Sequence, residues 1–157
     1  MKEAELIRII DQKIITYANK VSPISWHQMA IDWNYDGSKT FLEWLIDNNN
    51  TEKATVLMIY WMSNPKKGFK FQNKLEENYI SGFYNNETIL FDPKDDDGID
   101  WTKEYPNTSA NHIPKIMFQK INGKKIESSE NYIEGIPEDL FYEIETLYDE
   151  NEIDYNN

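Results

Sequence analysis

Between residues 3 and 20, Leu6, Ile7, Ile10, Ile14, Tyr17 and Ala18 recur at spacings of three, four and seven. That period gathers side chains on one face of a helix and predicts an amphipathic core helix. Ser25 and Gln28 then stand at the spacing of a capping box, ahead of Met29, Ala30 and Trp33, so a second, short helix is expected to start there. Asn34-Tyr35-Asp36-Gly37-Ser38 is turn chemistry, and Ser38 can cap a third helix over residues 40–47. The run Asn48 to Thr51 breaks that helix. Ala54, Leu57, Met58, Trp61 and Met62 trace the stripe of a fourth helix, which Pro65 ends. Phe71, Leu75, Tyr79 and Phe83 give a fifth within residues 69–84, with Gly82 a weak point near its end.

The helical period is lost over residues 85–113, which are rich in Asn, Asp, Pro and Gly and carry two short apolar pieces, Ile89-Leu90-Phe91 and Ile99-Asp100-Trp101. A long structured loop is expected, the kind of segment in which binding often resides. Ile116 to Phe118 and Ile121 to Ile126 flank Asn122-Gly123, a dipeptide suited to a tight turn, and predict a small hairpin there. Gly135-Ile136-Pro137 opens a last helix with Pro137 at its first position and Glu138 and Asp139 in its first turn, as the helix dipole favours. Leu140, Ile144 and Leu147 form its buried edge and leave Glu138, Glu143, Glu145, Asp149 and Glu150 to solvent. The pattern is that of a mainly α fold, a compact bundle of about six helices with a long loop and one small β-hairpin. A single domain is expected over residues 1–153, with 154–157 frayed.

Composition changes this picture in two ways. The 157 residues contain no cysteine, which removes disulfides and thiolate chemistry and points to a reducing cytoplasm. Charge is mixed into every turn of the N-terminus, so neither a signal peptide nor a membrane span is expected there. The net charge of −12 is also unevenly placed: residues 1–125 hold 17 acidic and 16 basic side chains, whereas residues 126–157 hold 11 acidic and none basic. An acidic segment repels nucleic acid and anionic membranes and attracts basic proteins.

Chemistry-bearing motifs are sparse. The run from Asp92 to Glu104 is similar to a calcium loop, but with Gly98 in the sixth position Pro93 falls where the first carboxylate belongs. His27 and His112 are the only histidines, and neither has a second at metal-binding spacing. Nucleophile elbows, phosphate loops and dinucleotide fingerprints are absent. No catalytic residue, metal or cofactor is therefore assigned. Trp26, Trp33, Trp44 and Trp61 cluster in the N-terminal half, where core packing accounts for them better than an exposed patch.

Met29 to Gly37, with its Trp33-Asn34-Tyr35-Asp36-Gly37 core, and then Ala54 to Met62 resemble a small bacterial family, domain of unknown function number 4274. The family pattern runs Tyr-Asn-Trp-Asp-Asp-Gly followed by an Ala-Leu-x-x-Phe-Trp helix. Here the two aromatic positions of the first motif are exchanged, and the likeness covers about residues 26–84. The resemblance implies a helical fold and brings no activity with it. Small acidic bacterial proteins of this kind are similar to immunity proteins, which neutralise a toxin. The expectation is a protein-binding chain that holds a basic toxin through Asp95, Asp96, Asp97 and Asp100 of the loop and Glu138, Glu143, Glu145, Asp149 and Glu150 of the last helix. The alternative is a small-molecule-binding module or enzyme with a pocket near His27, Asp36 and Asp100. An assembly subunit is a third possibility.

Overall fold

The computed structural model describes residues 1–106 and 112–151. Among them are seven α-helices: α1 (Glu3–Ala18), α2 (Pro23–Asp32), α3 (Thr40–Ile46), α4 (Lys53–Met62), α5 (Gln72–Ser81), α6 (Trp101–Glu104) and α7 (Glu138–Glu150). A 3-10 turn covers Lys115–Phe118, and strands β1 (Tyr132–Ile133) and β2 (Ile136–Pro137) pair antiparallel. The mainly α class with one small hairpin is the expected one. The expected frayed end at 154–157 lies outside the described residues.

The core is built around α4. Every residue from Ala54 to Trp61 is buried, so this helix is apolar all round and needs neighbours on each side. The stripe read from the sequence understated it, and Met62, placed on that stripe, is only half-buried. Helices α2, α3, α5 and α6 pack on α4, while α1 spans α3 and α7. On α1, Leu6, Ile10, Ile14 and Ala18 turn inward. Trp26, Trp33 and Trp61 are buried, and Trp44 stacks edge-on to Trp26 with ring centres 5.0 Å apart. The tryptophans of the helical half are thus core residues.

Polar side chains satisfy the helix ends. Trp26 Nε1 donates to Ala18 O at 2.8 Å and closes α1. Thr51 Oγ1 donates to Leu45 O at 2.7 Å, and Tyr84 OH to Ile46 O at 2.6 Å, which close α3. Burial pushes the Tyr84 phenol up to about 12. Gly82, in left-handed geometry at φ 79°, ends α5.

Local structure departs from expectation at four places. α2 starts at Pro23 with Ser22 before it, because proline pre-sets the first helical φ, so Ser25 lies inside the helix and the predicted capping box does not form. No hairpin forms around Asn122-Gly123. Residues 115–118 coil into the 3-10 turn, and Ile121 and Lys124 instead bridge to Phe91 and Ile89 of the long loop, whose side chains are buried. Long-range burial of Ile89 and Phe91 outweighs the local turn preference. The hairpin lies at residues 132–137, turning through Glu134 and Gly135. Pro137 belongs to β2 and precedes α7 rather than starting it, and Phe141 with Ile144 forms the deep edge of that helix while Leu140 and Leu147 are half-buried.

Two glycines permit these contacts. A Cβ on Gly123 would stand 2.4 Å from Thr88 O, and one on Gly135, at φ 80°, would stand 2.2 Å from Met29 O. Gly135→Ala combines left-handed strain with backbone overlap and is expected to lower stability by roughly 2–4 kcal/mol in urea unfolding. Gly123→Ala, with overlap alone, should cost about 1–3 kcal/mol. Wild-type stability in Gly135→Ala would mean that the hairpin does not rest on α2.

Candidate functional site

His27 lies on α2 and is 3% exposed. Its Nδ1 pairs with Oγ1 of Thr55, on α4, at 2.8 Å. Thr55 is fully buried, and the tautomer of the ring sets which of the two groups donates in this bond. No described buried side-chain nitrogen or oxygen lacks a partner. His27 lines a cavity of about 520 Å³.

The loop from Asp92 to Asp100 forms the far side of this cavity. It is shaped by its own carboxylates, as short acidic side chains in turns often are. Asp92 Oδ1 accepts from Lys94 N at 3.0 Å, and Asp95 Oδ1 from Gly98 N at 3.1 Å. Asp96 and Ile99 exchange backbone bonds of 2.8 and 2.9 Å around the left-handed pair Asp97-Gly98. Asp96 Oδ2 accepts the indole N–H of Trp101 at 2.9 Å, and Asp97 Oδ1 lies 2.5 Å from Lys125 Nζ. Asp95, Asp96 and Asp97 thus line one cavity with His27, Met58, Met62 and Trp101.

Asp100 has a different role. Its Oδ1 accepts from Thr102 N at 3.0 Å and Thr102 Oγ1 at 2.6 Å, capping α6. Those bonds, the hydroxyl first, hold its carboxyl below the usual range. Asp36 lines two other clefts, beside Trp33 and beside Tyr35. His27, Asp36 and Asp100 therefore form no common pocket. His112 is exposed near Lys67 and Lys70.

The carboxylates of α7 form a second, separate surface. Glu138, Tyr142, Glu145 and Asp149 follow one another at helical spacing along one face. Glu138 and Asp149 are exposed and Glu145 half-buried. Tyr142 is 51% exposed, with its ring held edge-on against Phe141 at 5.9 Å. Among the described ion pairs only Glu143 of α7 takes part, with Lys13 at 2.7 Å. Glu150 is exposed. Sequence reasoning identified these acids but missed Tyr142, whose signal was its place in the row Glu138, Glu145, Asp149.

The region is bounded by a sequence match. Residues 21–81 match the family described as Domain of unknown function (DUF4274). No curated protein and no solved structure matches the chain. The DUF4274 segment supplies α2 to α5, including His27, Thr55, Met58 and Met62, whereas the acidic loop and α7 lie beyond it. Among the described residues no helix is long and apolar enough to cross a membrane.

Burial lowers the His27 pKa from 6.5 to about 4. Between these values the unfolded chain takes up a proton that the folded protein refuses. Stability from this group is complete above about pH 6.5 and falls as pH drops towards 4, by up to about 3 kcal/mol. His27→Gln keeps a hydrogen-bonding partner for Thr55 and does not titrate, so its stability should change less between about pH 7 and about pH 4.5, by roughly 2 kcal/mol relative to wild type in urea melts. Parallel pH profiles would show that His27 is not held neutral.

Proposed function

We propose that the protein binds a basic protein partner through α7, in the manner of a bacterial immunity protein that neutralises a toxin. The observation that carries this reading is the row Glu138, Tyr142, Glu145 and Asp149: an exposed aromatic ring among carboxylates that no described lysine or arginine pairs. Charge of one sign steers a partner of the opposite sign, and a central aromatic supplies the contact that slows its departure. The lack of any basic residue after Lys125 leaves the steering field uncompensated along this segment. The loop acids are less suited to this role, since Asp95, Asp96 and Asp100 each accept bonds within the loop or α6. A second reading, a small-molecule-binding module, is favoured by the cavity at His27.

Affinity capture from bacterial lysate tests the first reading. A basic protein should be retained at low salt and lost at high salt. Its association rate should fall roughly tenfold for the Glu138→Lys, Asp149→Lys double variant, while Tyr142→Ala mainly speeds dissociation. Co-expression with the captured protein should restore growth if that protein is toxic. Retention that ignores both salt and charge reversal would exclude α7 as the binding face.

A further inference from the structure

A cavity of about 370 Å³ opens where the turn before α3, the end of α4 and the segment leading into α5 meet. Leu42, Ile46 and Ile59, all buried, give it an apolar floor. Four half-buried rings, Tyr35, Phe69, Phe71 and Tyr105, form its walls, and each is fixed by its own contact. Tyr35 OH donates to Ala30 O at 2.8 Å and Tyr105 OH to Met62 O at 3.2 Å. Phe69 packs edge-on to Tyr60 with ring centres 5.9 Å apart, and Phe71 lies under Lys74 Nζ at 5.3 Å. Lys66 Nζ also ties down the carbonyl of Tyr105 at 3.1 Å. The walls are therefore set before anything binds, and a ligand need not order them.

The charge around this cavity runs against that of the chain. Its lining includes three exposed lysines, Lys39, Lys67 and Lys70, and one carboxylate, Asp36, although the sequence carries 28 acidic against 16 basic side chains. Lys70 Nζ stands 5.3 Å from the centre of the Phe71 ring, which sets a cation at the aromatic wall. Lys74 is neutralised by Glu43 and Asp47, both at 2.9 Å, whereas among the described residues Lys39, Lys67 and Lys70 make no ion pair. An ammonium carries three donors and no acceptor, so these groups call for an anion. All the lining residues except Tyr105 lie in the segment 21–81 that matches DUF4274.

These features discriminate among ligand classes. A cation would meet the three ammonium groups, and a hard metal ion, which needs several oxygens, would find one carboxylate. An aspartate or glutamate side chain of a protein would satisfy the lysines and leave the aromatic walls bare. The volume lies near the lower end of the range for ligand sites, roughly 300–1,000 Å³, which admits one or two fused rings and not a dinucleotide. We propose that this cavity binds a small planar aromatic acid, its ring packed against the faces of Tyr35, Phe69 and Tyr105 and its carboxylate held by Lys39, Lys67 and Lys70. The site shares no residue with α7, so each of the two can fail without the other.

The probe is 2-naphthoate, titrated into the full chain by calorimetry and by methyl NMR. Saturable binding of one molecule per chain is expected, with shifts centred on the methyl groups of Ile46 and Ile59. The neutral 2-naphthamide, which keeps the ring, and hexanoate, which keeps the charge, should each bind about tenfold more weakly. The Lys67→Gln, Lys70→Gln double variant changes only exposed side chains. It should lose about tenfold in affinity for 2-naphthoate and none for 2-naphthamide, a split that misfolding cannot imitate. Lys20→Gln with Lys120→Gln, which removes the same charge elsewhere, should leave 2-naphthoate binding unchanged. Absence of saturable binding to the wild type would overturn the proposal. Equal binding of the acid and the amide, or an equal loss in the two double variants, would do so as well, because the lysines of the cavity would then have no part in selecting the ligand.

Discussion

The burial of α4 on all sides is the constraint from which the rest of the structure follows. Eight consecutive residues, Ala54 to Trp61, have no solvent-facing side, and each large apolar side chain so placed stabilises the fold by roughly 1.5–3 kcal/mol. Such a helix can slide or rotate against apolar neighbours unless polar contacts fix it. It carries such contacts towards α2, α5 and the 3-10 turn: Thr55 to His27 of α2, Tyr60 to Glu76 of α5 at 2.6 Å, and Trp61 Nε1 to Met117 O at 2.7 Å. At its N-terminal end Glu52, 3% exposed, accepts from both the backbone N–H and the hydroxyl of Thr88. These bonds satisfy groups that would otherwise be costly to bury, and they set the register of α4 against the long loop.

The cavity is a consequence of that arrangement. The same Thr55 that orients α4 is bonded to the His27 ring, and the loop that Glu52 and Phe91 anchor brings Asp95 to Asp97 to the cavity that His27 lines. Lys66 Nζ reaches Thr102 O at 2.6 Å and Tyr105 O at 3.1 Å, and Tyr105 OH donates to Met62 O at 3.2 Å, so the end of α4 also holds α6 in place. Apolar packing thus places an acidic loop beside the buried His27, and α7 remains outside this system, resting on α1 and the hairpin.

Much of the fold was legible along the chain. The apolar period located the first five helices and the last one because each has to bury a face, and burial leaves a mark at fixed spacing. The cysteine count and the acidic C-terminal fifth were equally plain. Signals that depend on a neighbour were not. Asn122-Gly123 favours a local turn, but Ile121 finds Phe91, thirty residues earlier, and that bridge decides the local backbone. Glu134-Gly135 carried no such signature, and Gly135 became a turn because only a residue without a Cβ can lie against Met29 O.

The same division applies to the site. The sequence by itself determined the helical class, the burial of the tryptophan-rich half and the solvent exposure of Glu138, Glu143, Asp149 and Glu150, since these follow from each residue's own preference for water. Tertiary structure alone decided that Asp100 would cap α6, that Asp36 would stand apart from His27, and that His27 would share a cavity with Asp95, Asp96 and Asp97. Nothing in the spacing of residues 27 and 95 relates them. They meet because α2 and the long loop both pack against α4, and only the closing of the core brings two such distant segments to the same few ångströms of space.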